Sequence, residues 1–211
     1  MALKTANQDL LKPDQERRIA DRDFTQLKIQ LSSLTPSERR WAARDLAFFD
    51  NSAPLLISAL TTESEPQVIE GILSSLQQLP NNDTVTGLIA LLSSEDASKR
   101  NGAIEVLQTM PDLMDAPIQL LLQDSDSDVR IFAMDILQQL AHPNTPQWLK
   151  QVLEEESHVN VVAAAIDRLA EVATVDIEPL LHNVQRRFAD HEYIQFAAGI
   201  ALTRLAGGVH G

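Results

Sequence analysis

Apolar residues recur along this chain at helical spacing, and the pattern restarts about every 30 residues behind a short acidic or polar turn. The clearest copies are Asp124–Leu140 (DSDSDVRIFAMDILQQL), Glu154–Val172, Ser93–Met110 and Glu63–Leu79. In the first of these, Val129, Phe132, Ala133, Ile136, Leu137 and Leu140 follow the i, i+3, i+4, i+7 rule of a helix with one buried face. Aligned behind the turn, the copies bring Arg39, Val68, Lys99, Val129, Val159 and Tyr193 into register. A shorter apolar stretch follows each, ending at Leu60, Leu92, Leu122, Leu153 and Val184. Pro54, Pro117, Pro146 and Pro179 stand near its start, where a missing N–H costs nothing. Each period therefore predicts two helices. One such hairpin cannot bury its own apolar face, so the hairpins must stack. The expected fold is all-α, a right-handed α-α superhelix: a solenoid of about five to six helical hairpins.

Local signals fill in this frame. Thr35-Pro36-Ser37-Glu38 reads as a capping box, and Thr145-Pro146 as a helix start that Thr145 can cap. A small residue recurs inside the first helix at Ala43, Ala103, Ala133, Ala163 and Ala197, with Ile72 as the exception, and would let the helices approach closely. Residues 14–34 stand outside the period. Phe24, Leu27, Leu31 and Leu34 share one helical face there, which suits a helix capping the end of the stack. The expected organisation is an N-terminal extension with a capping helix (1–34), the solenoid (35–206) and a flexible glycine-rich tail (207–211).

The acidic turn followed by Val129-Arg130, then Ala133 and Leu137, resembles HEAT repeats of the short bacterial kind, and the resemblance covers Thr35 to Ala206. It implies stacked helical hairpins and a protein-binding surface. It implies no particular activity, because such solenoids serve many roles.

Composition narrows the chemistry. The chain has no cysteine, which excludes disulfides, thiolate catalysis and Cys-based zinc sites. Its net charge is −13, unevenly spread: residues 1–50 carry 9 basic and 8 acidic side chains, and residues 51–211 carry 8 and 22, a net of −14. Replacing phosphate counterions needs cations, so neither nucleic acid nor an anionic membrane is an expected partner. No apolar run has signal-peptide or membrane-span character, and the expected location is cytoplasmic.

Candidate sites fare unevenly. Asp124, Asp126 and Asp128 imitate a calcium loop, but Val129 stands where the turn glycine belongs and Asp135 where the bidentate glutamate belongs. His191-Glu192 resembles the His-Glu pairs of deoxyhypusine hydroxylase, a di-iron enzyme whose metal site needs several such pairs; this chain has one. Alkylpurine DNA glycosylases of HEAT-like fold need a basic groove, against the acidic balance here. The repeat type also resembles phycobilin lyase subunits, whose chemistry attaches or removes a tetrapyrrole at a cysteine of another protein. Arg40, Arg100 and Arg130 recur near acidic residues and suit a ladder between layers. No catalytic, metal or cofactor residues are assigned.

The expected binding surface is the stripe left outside the core along the second helices. Its members are Ala90, Leu120, Gln123, Gln151, Glu154, His182 and Gln185, with an apolar centre and a polar to acidic rim. Trp41 and Phe48, on an otherwise outward-facing stripe, form an alternative docking patch. The reading that follows is a non-enzymatic adaptor or scaffold binding a basic or amphipathic protein segment. The alternative is an accessory subunit of a bilin-type attachment or lyase system.

Overall fold

The computed structural model describes residues 23–172 and 177–208. They form twelve α-helices and, among the described residues, no strand. After α1 (Phe24–Gln30) come the hairpins α2 (Pro36–Leu46) with α3 (Ala53–Thr62), α4 (Pro66–Gln77) with α5 (Asn82–Ala90), and α6 (Ala97–Leu107) with α7 (Asp115–Leu122). Then come α8 (Ser127–Gln139) with α9 (Thr145–Glu155), α10 (Val159–Val172) with α11 (Glu178–Arg187), and the final α12 (Glu192–Gly208). The first helices α2, α4, α6, α8, α10 and α12 pack one on the next, and one apolar core runs from Leu27 to Ala201. The protein is an all-α solenoid of helical hairpins.

The turns that open the first helices are closed by their own acids. Asp96 Oδ1 accepts from Ser98 N at 2.9 Å and Asp126 Oδ1 from Asp128 N at 2.9 Å, satisfying amides that a helix start leaves bare. Asp124 and Asp126 are thus occupied with capping, and Val129 is buried within α8. The first copy differs from the expected capping box. Thr35 makes no side-chain cap, and Glu38 instead accepts from the Ser33 hydroxyl. Thr145 is not the cap of α9 either: Asn144 holds that place, and the Thr145 hydroxyl is buried without a protein partner.

The register of the copies follows from the backbone. The carbonyls of Thr35, Glu65, Asp96, Asp126, His158 and His191 each accept from the amide four residues on, which makes these six positions equivalent. The small residue is then Ala42, Ala165 and Ala198 in the first, fifth and last copies, not Ala43, Ala163 and Ala197. All three sit fully or almost fully buried. Likewise Ile194, at 0% exposure, takes the core place expected of Tyr193. The recurrent arginine of the first copy is Arg39 rather than Arg40.

At the N-terminal end, Leu27 and Leu31 are buried and Phe24 meets Phe49 edge-on at 5.5 Å. Leu34 departs from the expected face: it lies past the helix and is 98% exposed. The first part of the expected capping segment lies outside the described residues, as does most of the expected tail; α12 itself continues to Gly208.

Close stacking sets one sharp steric condition. A Cβ on Gly87 would sit 2.5 Å from Ile57 Cγ1 and 2.8 Å from both its Cγ2 and its Cδ1, on the preceding second helix. Gly87→Ala should therefore lower stability by about 1–2 kcal/mol, despite the better helix propensity of alanine. A urea melt with unchanged or raised midpoint would contradict this packing.

Candidate functional site

Two clefts of the same construction open between successive second helices. The larger involves α1, α2 and α3, about 420 Å³, with Leu31, Ser32, Ser58, Thr62 and Ser64 around the Arg39–Glu63 pair. The other involves α7, α8 and α9, about 340 Å³, with Gln119, Leu122, Gln123, Gln151, Glu155 and Ser157 around the Arg130–Glu156 pair. Leu31 stands to Arg39 as Leu122 stands to Arg130. So α1 occupies the place of a second helix.

The floor of each cleft is a two-pronged ion pair. Arg39 Nε and Nη2 donate to Glu63 at 2.7 and 2.8 Å; Arg130 Nε and Nη2 donate to Glu156 at 2.6 and 3.1 Å. The third guanidinium nitrogen closes the turn six residues back, on Ser33 O at 2.9 Å and on Asp124 O at 2.8 Å. Each glutamate in turn accepts from the two amides that follow it. The Arg39 guanidinium and these amides hold the Glu63 carboxyl down to about 2, against the cost of burial. For Glu156, burial pushes upward, but Arg130 and the His158 and Ser157 amides outweigh it and keep the carboxyl below its ordinary value. The third arginine, Arg100, closes its own turn on Ser94 O at 2.8 Å and lies over the Phe132 ring at 5.1 Å, without a carboxylate.

Of the residues expected to bind a partner, Gln123 and Gln151 come together on the rim of the second cleft. Leu120 is 72% exposed but stands outside it, and Ala90 is exposed at the end of α5. Glu154 is exposed on α9 beside the cleft rather than in its lining. His182 is exposed on α11 and meets Gln185 at 3.3 Å. Gln185 is half-buried and tied to α12, its backbone carbonyl accepting from Gln195 Nε2 at 2.7 Å. Trp41 is half-buried with the Arg40 and Arg44 guanidinium groups 5.9 and 5.5 Å from its ring; Phe48 is 80% exposed.

The sequence reading missed Gln119, Glu155 and the glutamate floor. Its register on α7 rested on Leu122 as the last core residue, whereas Leu121 is buried and Leu122 lines the cleft. Ile118 and Met114, both at 0% exposure, lie three and seven places before Leu121 and carry the correct phase. Chemically, the second cleft offers carboxamides and carboxylates, and its arginine is already neutralised. It suits hydrogen bonding to a polypeptide better than capture of a free anion. No group of three or more metal-binding side chains occurs among the described residues, and no described helix is long and apolar enough to cross a membrane.

Comparison with known proteins bears on the rest. A family profile described as HEAT repeats matches residues 114–205. The bilin biosynthesis protein PecE of Mastigocladus laminosus is 29% identical over 126 residues, 58% of this chain and 46% of the relative. The chain thus spans less than half the length of that relative. Among solved structures, the archaeal HEAT-like repeats protein of Thermococcus onnurineus NA1 aligns over 87% of each chain with 15% identity and a TM-score of 0.47. The complex of CpcE and CpcF of phycocyanin lyase from Nostoc sp. PCC7120 aligns over 90% of this chain and 96% of the other, with 18% identity and a TM-score of 0.38. The repeat-solenoid fold suits a protein-interaction scaffold. The expectation that the protein is not an enzyme is nonetheless corrected, because the relative it matches is a bilin biosynthesis protein. Over residues 114–205 the chain matches the HEAT repeats, the family its first-helix pattern resembles.

Proposed function

We propose that this chain works in a bilin-type chromophore attachment or lyase system, holding the polypeptide that receives or gives up an open-chain tetrapyrrole. The observation that carries this reading is the 29% identity over 126 residues to a bilin biosynthesis protein. The absence of cysteine adds a chemical condition: the thiol that takes the tetrapyrrole must come from another protein. A component of such a system therefore needs a polypeptide-binding surface. The clefts beside Gln123 and Gln151 and beside Ser58 and Thr62, with the exposed Leu120 nearby, supply hydrogen-bonding groups and an apolar contact for one. The net charge of −14 over residues 51–211 favours a basic or amphipathic segment of that polypeptide and speeds its encounter.

The test is transfer. An open-chain tetrapyrrole, a cysteine-bearing acceptor polypeptide and this protein are mixed, and the acceptor is weighed by mass spectrometry. Faster gain or loss of the tetrapyrrole mass in the presence of the protein is expected. An unchanged rate across acceptors, with the protein shown to be folded, would sink the proposal.

A further inference from the structure

Three of the large apolar side chains left in solvent stand together, apart from Ile29, Leu34, Phe48 and Leu120. Tyr193, Phe196 and Ile200, 58%, 66% and 38% exposed, lie at i, i+3 and i+7 on one face of α12. The backbone register allows a comparison copy by copy. Where the last helix has Tyr193, the others have Ser37, Gln67, Ser98, Asp128 and Asn160. Where it has Ile200, they have Arg44, Ser74, Glu105, Asp135 and Asp167. At the place of Phe196 stand Arg40, Glu70 and Asn101, then Ile131 and Ala163, which are packed against the core or buried. The last copy alone is apolar and open at all three.

The end of the stack does not account for this. Inside the solenoid, the residue just before the Ile200 place carries the stacking contact, as Leu73 does against Gly102. Its equivalents are Ala43, Ile104, Met134 and Ile166; in α12 it is Gly199, and nothing lies within 4 Å of where a Cβ would stand. Stacking bulk is thus absent at this place of α12. Yet bulk is added beside it, around a glycine that weakens its helix relative to alanine and leaves room for close approach.

Charge indicates the occupant. Asp190 and Glu192 are exposed at the start of the stripe, and Asp167 and Glu171 are exposed on α10, against which α12 packs. Arg204 is exposed at the far end, while Arg168 is engaged by Leu137 O and Glu171 at 3.0 and 2.9 Å. We propose that the outer face of α12 docks an amphipathic helix of another polypeptide. Its aliphatic side chains would seat on Tyr193, Phe196 and Ile200 around Gly199, and its lysines or arginines would face Asp167 and Glu192. This site stands apart from the tetrapyrrole reading, and either can fail without the other.

Tyr193 is the sole tyrosine of the chain, so protein labelled with 3-fluorotyrosine carries one fluorine resonance, at the site itself. The probe is a helical peptide of leucines and lysines with the leucines on one face. The controls are its scrambled isomer and a leucine–glutamate counterpart. The resonance should shift with the first peptide and not with the controls. Phe196→Ser and Gly199→Leu should each weaken binding about tenfold or more by fluorescence anisotropy, with circular dichroism melts showing both variants folded. Asp167→Asn should weaken it less and flatten its salt dependence. Leu120→Glu should leave it unchanged. The proposal is overturned if the resonance stays fixed while the peptide binds, or if the controls shift it equally. It is also overturned if the resonance moves with protein concentration alone, which would make a second copy the occupant.

Discussion

Replacing Arg130 by methionine should lower the stability of the protein by about 3 kcal/mol, one of the largest effects of any single polar substitution. The side chain joins three segments. It pairs with Glu156 beyond α9, and it closes the turn before α8 through Asp124 O at 2.8 Å and Ser125 O at 3.3 Å. The Glu156 side chain is only 9% exposed, so loss of the guanidinium leaves a carboxylate with little water to replace it. The cost is mainly that stranded charge. Arg130→Met with Glu156→Leu should therefore recover most of the loss, leaving about 1 kcal/mol for the turn amides of Ser157 and His158 that Glu156 no longer caps. Glu171→Gln is the contrast: its partner Arg168 is near, but Glu171 is 57% exposed, and the change should cost under about 1 kcal/mol. Equal losses from Arg130→Met and Glu171→Gln in denaturant melts would contradict the buried-pair account.

Acid should unfold the protein through the matching pair at the other end. Glu63 falls from an ordinary 4.5 to about 2 on folding, chiefly through Arg39. A carboxyl with a lowered folded value contributes stability that is complete above the unfolded value. That stability drains as pH falls from about 4.5 toward 2 and is gone below. The shift corresponds to roughly 3 kcal/mol. Glu63→Gln should thus be clearly less stable than the wild type at pH 7 and nearly indistinguishable at pH 2. A constant difference across that range, followed by chemical denaturation at each pH, would show that Glu63 is not the titrating group.

The two-helix period was legible because every core face restarts behind an acidic or polar turn, and the hairpins follow from that alone. The register was not fully legible where like residues adjoin. Ala42 beside Ala43, the run Ala163–Ala165 and Ala197 beside Ala198 offer the same small side chain at neighbouring angles, and only the backbone hydrogen bonds decide between them. The run Leu120-Leu121-Leu122 did the same to the binding stripe: a shift of one residue turned the Gln119 position into Leu120. The cleft floors were out of reach for another reason. Arg39 and Glu63 are 24 residues apart and Arg130 and Glu156 are 26 apart, a pairing set by stacking rather than by local spacing. Tyr193 looked like a core position because an aromatic residue behind an acidic turn fits the pattern, whereas Ile194 beside it is the one buried.

The proposed role is tested most directly by light. An open-chain tetrapyrrole such as biliverdin is titrated with the purified protein, with and without a cysteine-bearing acceptor polypeptide, and its visible absorption and induced circular dichroism are recorded. A component of a bilin attachment or lyase system should shift the absorption band and induce ellipticity in it, in the presence of the acceptor at least. Spectra identical to those of the free tetrapyrrole at saturating protein, with and without acceptor, would contradict the account.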